Sequence, residues 1–290
     1  MRVRLLFFAV LLLIAAALIS FPAAAFPALQ QTPMLPTPTL FPVQDVTYTL
    51  SWVGGAPQPL LFSYTDANGA MLGRSTVESR YPRGLVFSLM LERAPESVTL
   101  MARYDSGIGT RVEATWNQDG NAWIASLWET GGFPAWVHLT FFWRVAFADG
   151  TVIETEAYPV DYADPTRQWF RAENEQMVIY WFGVGEDEPD RVARALLESV
   201  AAARASLRQG FGADLSYRPM TIIYDSRDAV REIYGSETAT RGFASYDLGV
   251  SLLAAPHGAG VEAEIGWLTF TVAHEMVHLY QFDVIGGIID

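Results

Sequence analysis

From Val46 to about Val160 apolar and polar residues alternate along the chain. Val46, Tyr48, Leu50 and Trp52 are separated by Thr47, Thr49 and Ser51. Val98, Leu100, Ala102 and Tyr104 repeat the device, as do Val112, Ala114 and Trp116, and the clearest run is Val137, Leu139, Phe141, Trp143, Val145 and Phe147. A period of two is that of a strand with one face in a core. Asn68-Gly69, Asp119-Gly120 and Asp149-Gly150 supply tight turns, and the last makes Thr151 to Val160 the hairpin partner of the clearest run. About eight short strands with regular turns predict an N-terminal antiparallel β-sandwich of immunoglobulin or fibronectin type over residues 46–160. The alternation assigns Trp52, Trp116 and Trp143 to core packing, although aromatic platforms on such domains can also bind sugars or peptides. His138 falls on the polar face of its strand and is expected to be exposed.

Asp161 to Trp169 is a polar stretch with a turn-favouring Asp-Pro, and the domain boundary is placed there. The pattern beyond it mixes the two periods. Gln176 to Phe182 is rich in β-branched and aromatic residues and reads as a strand. Pro189 opens a helix in which Val192, Leu196, Val200, Ala203 and Leu207 keep helical spacing, closed by Gly210 or Gly212. Met220 to Tyr224 is a second strand, and Ser226 caps a short helix ended by Gly235. Gly242 to Tyr246 and Gly249 to Ala255 form a strand pair around Asp247-Leu248.

The last long pattern is helical. Trp267 to Phe282 is apolar, free of Gly and Pro, and too long for a strand. Within it His274, Glu275, Met276, Val277 and His278 read H-E-x-x-H. Two His four residues apart lie one turn apart on one face, so both imidazoles can reach one ion, while Glu275 flanks them where it can hold a metal-bound water. With His274 at zero, a rotation of 100° per residue puts His278 near about 40°, Thr271 near about 60°, Glu275 near about 100° and Gln281 near about −20°. The polar groups thus gather in one stripe. Phe270, Val272, Ala273, Met276, Val277, Leu279 and Tyr280 occupy the remaining arc and are expected in the core. The competing reading is two core histidines and a buried carboxylate. Burying those groups unpartnered costs several kcal/mol, and a divalent ion satisfies all three.

Composition narrows the choice. At 290 residues the chain has room for one large or two ordinary domains. A net charge of −13, with acidic residues scattered, excludes a nucleic-acid partner, since phosphate binding requires clustered Lys and Arg. With no Cys there is no disulfide framework, no thiolate ligand and no Cys nucleophile, so any zinc must be held by His and carboxylate.

The N-terminus predicts export. Arg2 and Arg4 precede an apolar run from Leu5 to Ile19, followed by Ala23, Ala24 and Ala25. This is the layout of a secretory signal over residues 1–25, either cleaved after Ala25 or kept as a membrane anchor. Both place the remainder outside the cytoplasm, secreted or anchored to the outer face of the cytoplasmic membrane. Residues 26–45, with prolines at 27, 33, 36, 38 and 42, read as a semi-extended linker.

A small mixed sheet followed by an H-E-x-x-H helix resembles the zincin metallopeptidases. Within them, the stretch from about Trp169 to Phe282 is similar to the peptidase MA-like group of gluzincins. The likeness is carried by the strand Val178-Ile179-Tyr180-Trp181, the long acidic-start helix, Ile222-Ile223-Tyr224, the Gly249 to Ala255 strand and His274-Glu275-Met276-Val277-His278-Leu279. It implies an α+β zincin-like N-terminal subdomain over 169–290, with Zn2+ bound by His274 and His278, Glu275 as general base, and a peptide or protein as substrate. It also implies that Val250, Ser251, Leu252, Leu253 and Ala254, on the last strand before the motif helix, border the cleft and pair with an extended substrate by strand addition. One feature departs from the pattern. Gluzincins take a third ligand, a Glu, from a downstream helix, and this sequence ends twelve residues after His278. Asp283 falls near about 180° on the wheel, away from the site; Asp290 and His257 are not fixed by the pattern. The expectation is an N-terminal piece of a longer protein, with two His alone binding zinc weakly and hydrolysis undetectable. The alternative function is a non-catalytic exported or membrane-anchored surface protein whose sandwich binds a ligand.

Overall fold

The computed structural model describes residues 46–54, 59–65, 71–234, 242–256 and 258–286. The signal and linker segments, the Asn68-Gly69 turn, Gly235, His257 and Asp290 lie outside them. The described residues form three β-sheets and three helices, a β-rich architecture, within one unit spanning Val43–Asp290. No helix among them is long and apolar enough to cross a membrane.

Two of the sheets are antiparallel and five-stranded. One runs β2 (Leu60–Thr65), β3 (Met71–Ser79), β4 (Leu85–Leu91), β8 (Ala122–Leu127), β7 (Thr115–Asn117). The other runs β10 (Val152–Glu154), β9 (His138–Ala146), β5 (Ser97–Tyr104), β6 (Gly109–Glu113), with β11 (Tyr158–Asp161) also on β9. Their inner faces share one core. Phe87 meets Phe141 edge to face at 5.0 Å, and the fully buried Trp143 donates its indole N–H to Ser75 Oγ at 3.0 Å. The Asp149-Gly150 turn forms as read, with Gly150 at φ 84° and Thr151 N–H on Asp149 Oδ1.

The third sheet has six strands in the order β1 (Thr49–Gly54), β12 (Gln168–Glu173), β13 (Val178–Trp181), β14 (Met220–Tyr224), β16 (Val250–Ala254), β15 (Gly242–Ser245). The β13–β14 and β14–β16 pairs are parallel and the others antiparallel. Here the structure corrects the sequence reading: β1, read as the first strand of the sandwich, pairs residue for residue with β12. Alternation identifies a strand but carries no information on its partner. β1 lies at the sheet edge, and Trp52 is 54% exposed, packed on Phe170 at 3.7 Å, rather than in a core. Trp116, on the edge strand β7, is likewise 48% exposed beside Trp123. Of the three tryptophans assigned to core packing, only Trp143 is there.

Strands β13, β14 and β16 are buried on both faces, which is why they read as continuous apolar runs. Val178, Tyr180 and Ile222 face the core shared with the two antiparallel sheets. Ile179, Trp181, Ile223 and Leu253 face a second core under α1 (Pro189–Phe211) and α3 (Val261–Ile285), filled by Leu196, Val200, Leu268, Val272, Met276 and Leu279. The short α2 (Arg227–Tyr234), whose Ala229 N–H is capped by Ser226 Oγ, packs on the first side.

The Asp161 to Trp169 stretch is a corner anchored by the buried Tyr162, Asp164 and Trp169. Asp164 is fully buried and accepts four hydrogen bonds: Thr166 N–H at 2.7 Å, Thr166 Oγ1 at 2.6 Å, Arg167 Nη1 at 3.3 Å and Trp169 Nε1 at 3.2 Å. Tyr162 donates its backbone N–H to Val137 O and accepts Gly84 N–H on its hydroxyl.

His138 is half-buried rather than freely exposed. Its Nδ1 lies 2.8 Å from Asp161 Oδ1, the residue opposite it in register, and its Nε2 lies 3.9 Å from Asp105. The Asp161 hydrogen bond raises its pKa, burial opposes this, and the Asp105 charge adds to the rise. Asp105 is itself pushed up by burial and pulled back by His138 and Arg218. A raised folded pKa contributes stability that is complete below the unfolded value of about 6.5 and is lost as pH rises through the folded one. His138→Asn is therefore expected to lower Tm more at pH 5 than at pH 9, measured by thermal melts at matched ionic strength.

Candidate metal centre

The long C-terminal helix α3 starts after Gly260 and ends at Gly286, whose φ of 82° directs its N–H to Phe282 O. Its C-terminal end is tied to the body by Ser216, whose N–H and Oγ reach Asp283 at 2.6 and 2.8 Å, and by Tyr280, whose hydroxyl donates to Asp214. These bonds hold Asp283 away from the motif, as the wheel indicated. Ser199 Oγ on Thr269 O, at 2.8 Å, ties the middle of α3 to α1.

The helix has an inner and an outer face. Ile265, Leu268, Val272, Met276 and Leu279 lie inward in the second core. His274 is exposed and His278 part-buried on the outward side. Phe270, expected in the core, is 72% exposed. It precedes His274 by one turn, so it shares the histidine face.

The imidazoles of His274 and His278 have centroids 5.1 Å apart and planes at 80°. Two rings ligating one tetrahedral zinc at about 2 Å from each nitrogen have centroids about 5 Å apart, the separation of this pair. His278 Nδ1 lies 3.1 Å from Gln281 Oε1. With the amide oxygen accepting, the proton sits on Nδ1 and the Nε2 lone pair is left for a cation. The sequence reading placed Gln281 in the polar stripe but gave it no role.

Glu275 turns the other way. Only 5% exposed, it lies against the start of β15, with Oε1 beside Gly242. Burial pushes its carboxyl above the ordinary range, and the charges of His278 and His274 oppose that rise. It forms no hydrogen bond or ion pair with any described residue. A carboxylate so largely withdrawn from solvent is stabilised by a polar partner, and a water held between it and an ion would be one.

The cleft strand differs from the expectation. Val250, Ser251, Leu252, Leu253 and Ala254 are buried and all pair with β14, and Val250 to Leu253 pair on their other side with β15, so these four have no free edge for a substrate. Among the described residues the sheet ends at β15, Gly242–Ser245, which is only half-buried. The order of strands in space, not in sequence, decides which one is outermost. No third His, Asp or Glu joins His274 and His278 among the described residues. The donor set therefore fits two of the three protein ligands that a catalytic zinc takes.

No protein family and no curated protein matches the chain. Solved structures give shallow likenesses. A carbohydrate-binding module family 56 β-1,3-glucan binding domain is 10% identical over 34% of this chain and 96% of its own, with a TM-score of 0.23. An endonuclease/exonuclease/phosphatase from Beutenbergia cavernae is 17% identical over 38% of this chain and 28% of its own, with a TM-score of 0.25. A polysaccharide deacetylase from Bacillus cereus is 8% identical over 58% of this chain and 57% of its own, with a TM-score of 0.27. Likenesses at these TM-scores carry no inference about activity.

Proposed function

We propose that the chain is an exported zinc-dependent metallopeptidase of H-E-x-x-H type, its α+β portion zincin-like and its two face-to-face sheets an immunoglobulin-type spacer. One observation carries this reading: two imidazoles at the separation of ligands on a single ion, beside a buried carboxylate without a partner among the described residues. His274 and His278 would hold the zinc, with Gln281 fixing the tautomer of His278. When bound, zinc polarises a carbonyl and acidifies a water. Glu275, whose carboxylate lies beside the histidine pair on α3, would serve as the general base, accepting a proton from the attacking water and returning it to the leaving amine. β15 is the outermost strand among the described residues, and its edge would take the strand-addition role toward an extended peptide that the sequence assigns to β16. Export rests on the leader sequence at residues 1–25.

Residues 1–290 are expected to bind zinc weakly and to hydrolyse no peptide detectably. Protein in which a third ligand completes the site is expected to bind about one zinc per chain, as catalytic sites of this kind do. In it Glu275→Gln keeps the metal and lowers hydrolysis by about 10²-fold or more. Metal-free protein with full activity would overturn the reading. Robust hydrolysis by residues 1–290 would show instead that His257 or Asp290 completes the site.

The exposed Trp116 beside Trp123 favours a second reading, a non-catalytic surface protein that binds a ligand on its sandwich. On that reading His274→Ala and His278→Ala leave metal content unchanged, and binding maps to Trp116.

A further inference from the structure

We infer that Gly242 is a positioning residue for Glu275: the absence of a side chain at the first residue of β15 places the carboxylate. The inference rests on the metallopeptidase reading for its consequence but not for its geometry. A Cβ built on Gly242 would lie 2.8 Å from Leu253 Cδ2, 2.9 Å from Glu275 Oε1 and 3.3 Å from Thr271 Cγ2. The first two distances are shorter than real Cβ contacts, so something must shift. The backbone of Gly242 is not in the left-handed region, so alanine is conformationally allowed and the effect is steric.

The three neighbours are not equally free to yield. Leu253 is fully buried in the second core, opposite Gly242 in the β15–β16 ladder. Thr271 is anchored by its hydroxyl on Trp267 O at 2.8 Å, which fixes the direction of its methyl. Glu275 has no hydrogen bond to any described residue and three rotatable bonds, so the carboxylate moves. Its place is set by contact with bare backbone rather than by hydrogen bonds. Ala244, two residues on and on the same side of β15, is also small and packs toward the α3 core. The helix-facing side of the edge strand is thus kept low over the motif.

Moving a proton-transfer group by about 1 Å can cost about 10²-fold in rate while leaving ligands and binding surfaces in place. The test is Gly242→Ala alone and in a Glu275→Ala background. Crystal structures of wild type and Gly242→Ala in one crystal form are expected to show Oε1 of Glu275 displaced by about 1 Å, the scale on which positioning is lost, with Leu253 and the β15–β16 ladder unchanged. Thermal melts are expected to show a loss of about 3 °C for Gly242→Ala, typical of mild overpacking, and a smaller loss once Glu275 is already alanine. In protein whose zinc site is complete kcat falls about 10²-fold, KM stays within about twofold and zinc content is unchanged. A carboxylate that stays while Leu253 or the strand shifts, or melting losses that add without coupling, would overturn the inference. Should the wild type bind no zinc, the metallopeptidase reading fails, and the crystal and melting arms still decide the role of Gly242.

Discussion

Asp164→Ala is expected to destabilise the fold by about 3–5 kcal/mol, the range seen when one member of a buried, hydrogen-bonded charge cluster is removed. The carboxylate is wholly inside and accepts from the Thr166 backbone and hydroxyl, from Arg167 and from the indole of Trp169. Removing it strands the Trp169 N–H in a core where Trp169 is itself fully buried, and an unpartnered buried donor costs about 1–3 kcal/mol. It also leaves the Arg167 guanidinium, 28% exposed, with Glu232 at 2.8 Å as its other acidic partner. Asp164→Asn keeps one acceptor oxygen and is expected to lose roughly half as much. Urea unfolding followed by tryptophan fluorescence measures both. A wild-type midpoint for Asp164→Ala would mean that the corner between β11 and β12 is a solvated connection and not part of the core.

The second large effect concerns the ion. His278→Ala removes a ligand and is expected to weaken zinc binding by more than the roughly 10- to 100-fold that loss of an outer hydrogen-bond partner costs. Gln281→Leu removes only the acceptor of His278 Nδ1, on an exposed helical position where leucine is well tolerated, and is expected to weaken binding about 10-fold. Competitive titration against a chromophoric chelator at fixed pH measures the series. Equal affinities across wild type, Gln281→Leu and His278→Ala would remove both roles.

Local patterns were legible in the sequence wherever a local signal determines the outcome. The helix from Pro189 to Phe211, ended by Gly212 at φ 75°, follows from a start residue, a period and a stop. Met220–Tyr224 and the strand pair of β15 and β16 follow from composition and turn residues. The H-E-x-x-H pair was legible because i, i+4 spacing on a helix fixes relative position. Partner choice was not legible. β1 alternates as a sandwich strand would, yet it pairs with β12 more than one hundred residues away. Val250 to Ala254 precede the motif helix in sequence, but β15 folds back outside them and takes the edge. Gly242 and Gln281 carry no motif; their roles exist only once α3 lies against β15.

The most direct test of the central claim is X-ray absorption at the zinc edge of the zinc-loaded protein. The expected spectrum has a first shell of nitrogen and oxygen at about 2.0 Å with outer-shell scattering from two imidazoles, lost in His274→Ala/His278→Ala. A spectrum without imidazole scattering, or one unchanged in the double variant, would contradict it.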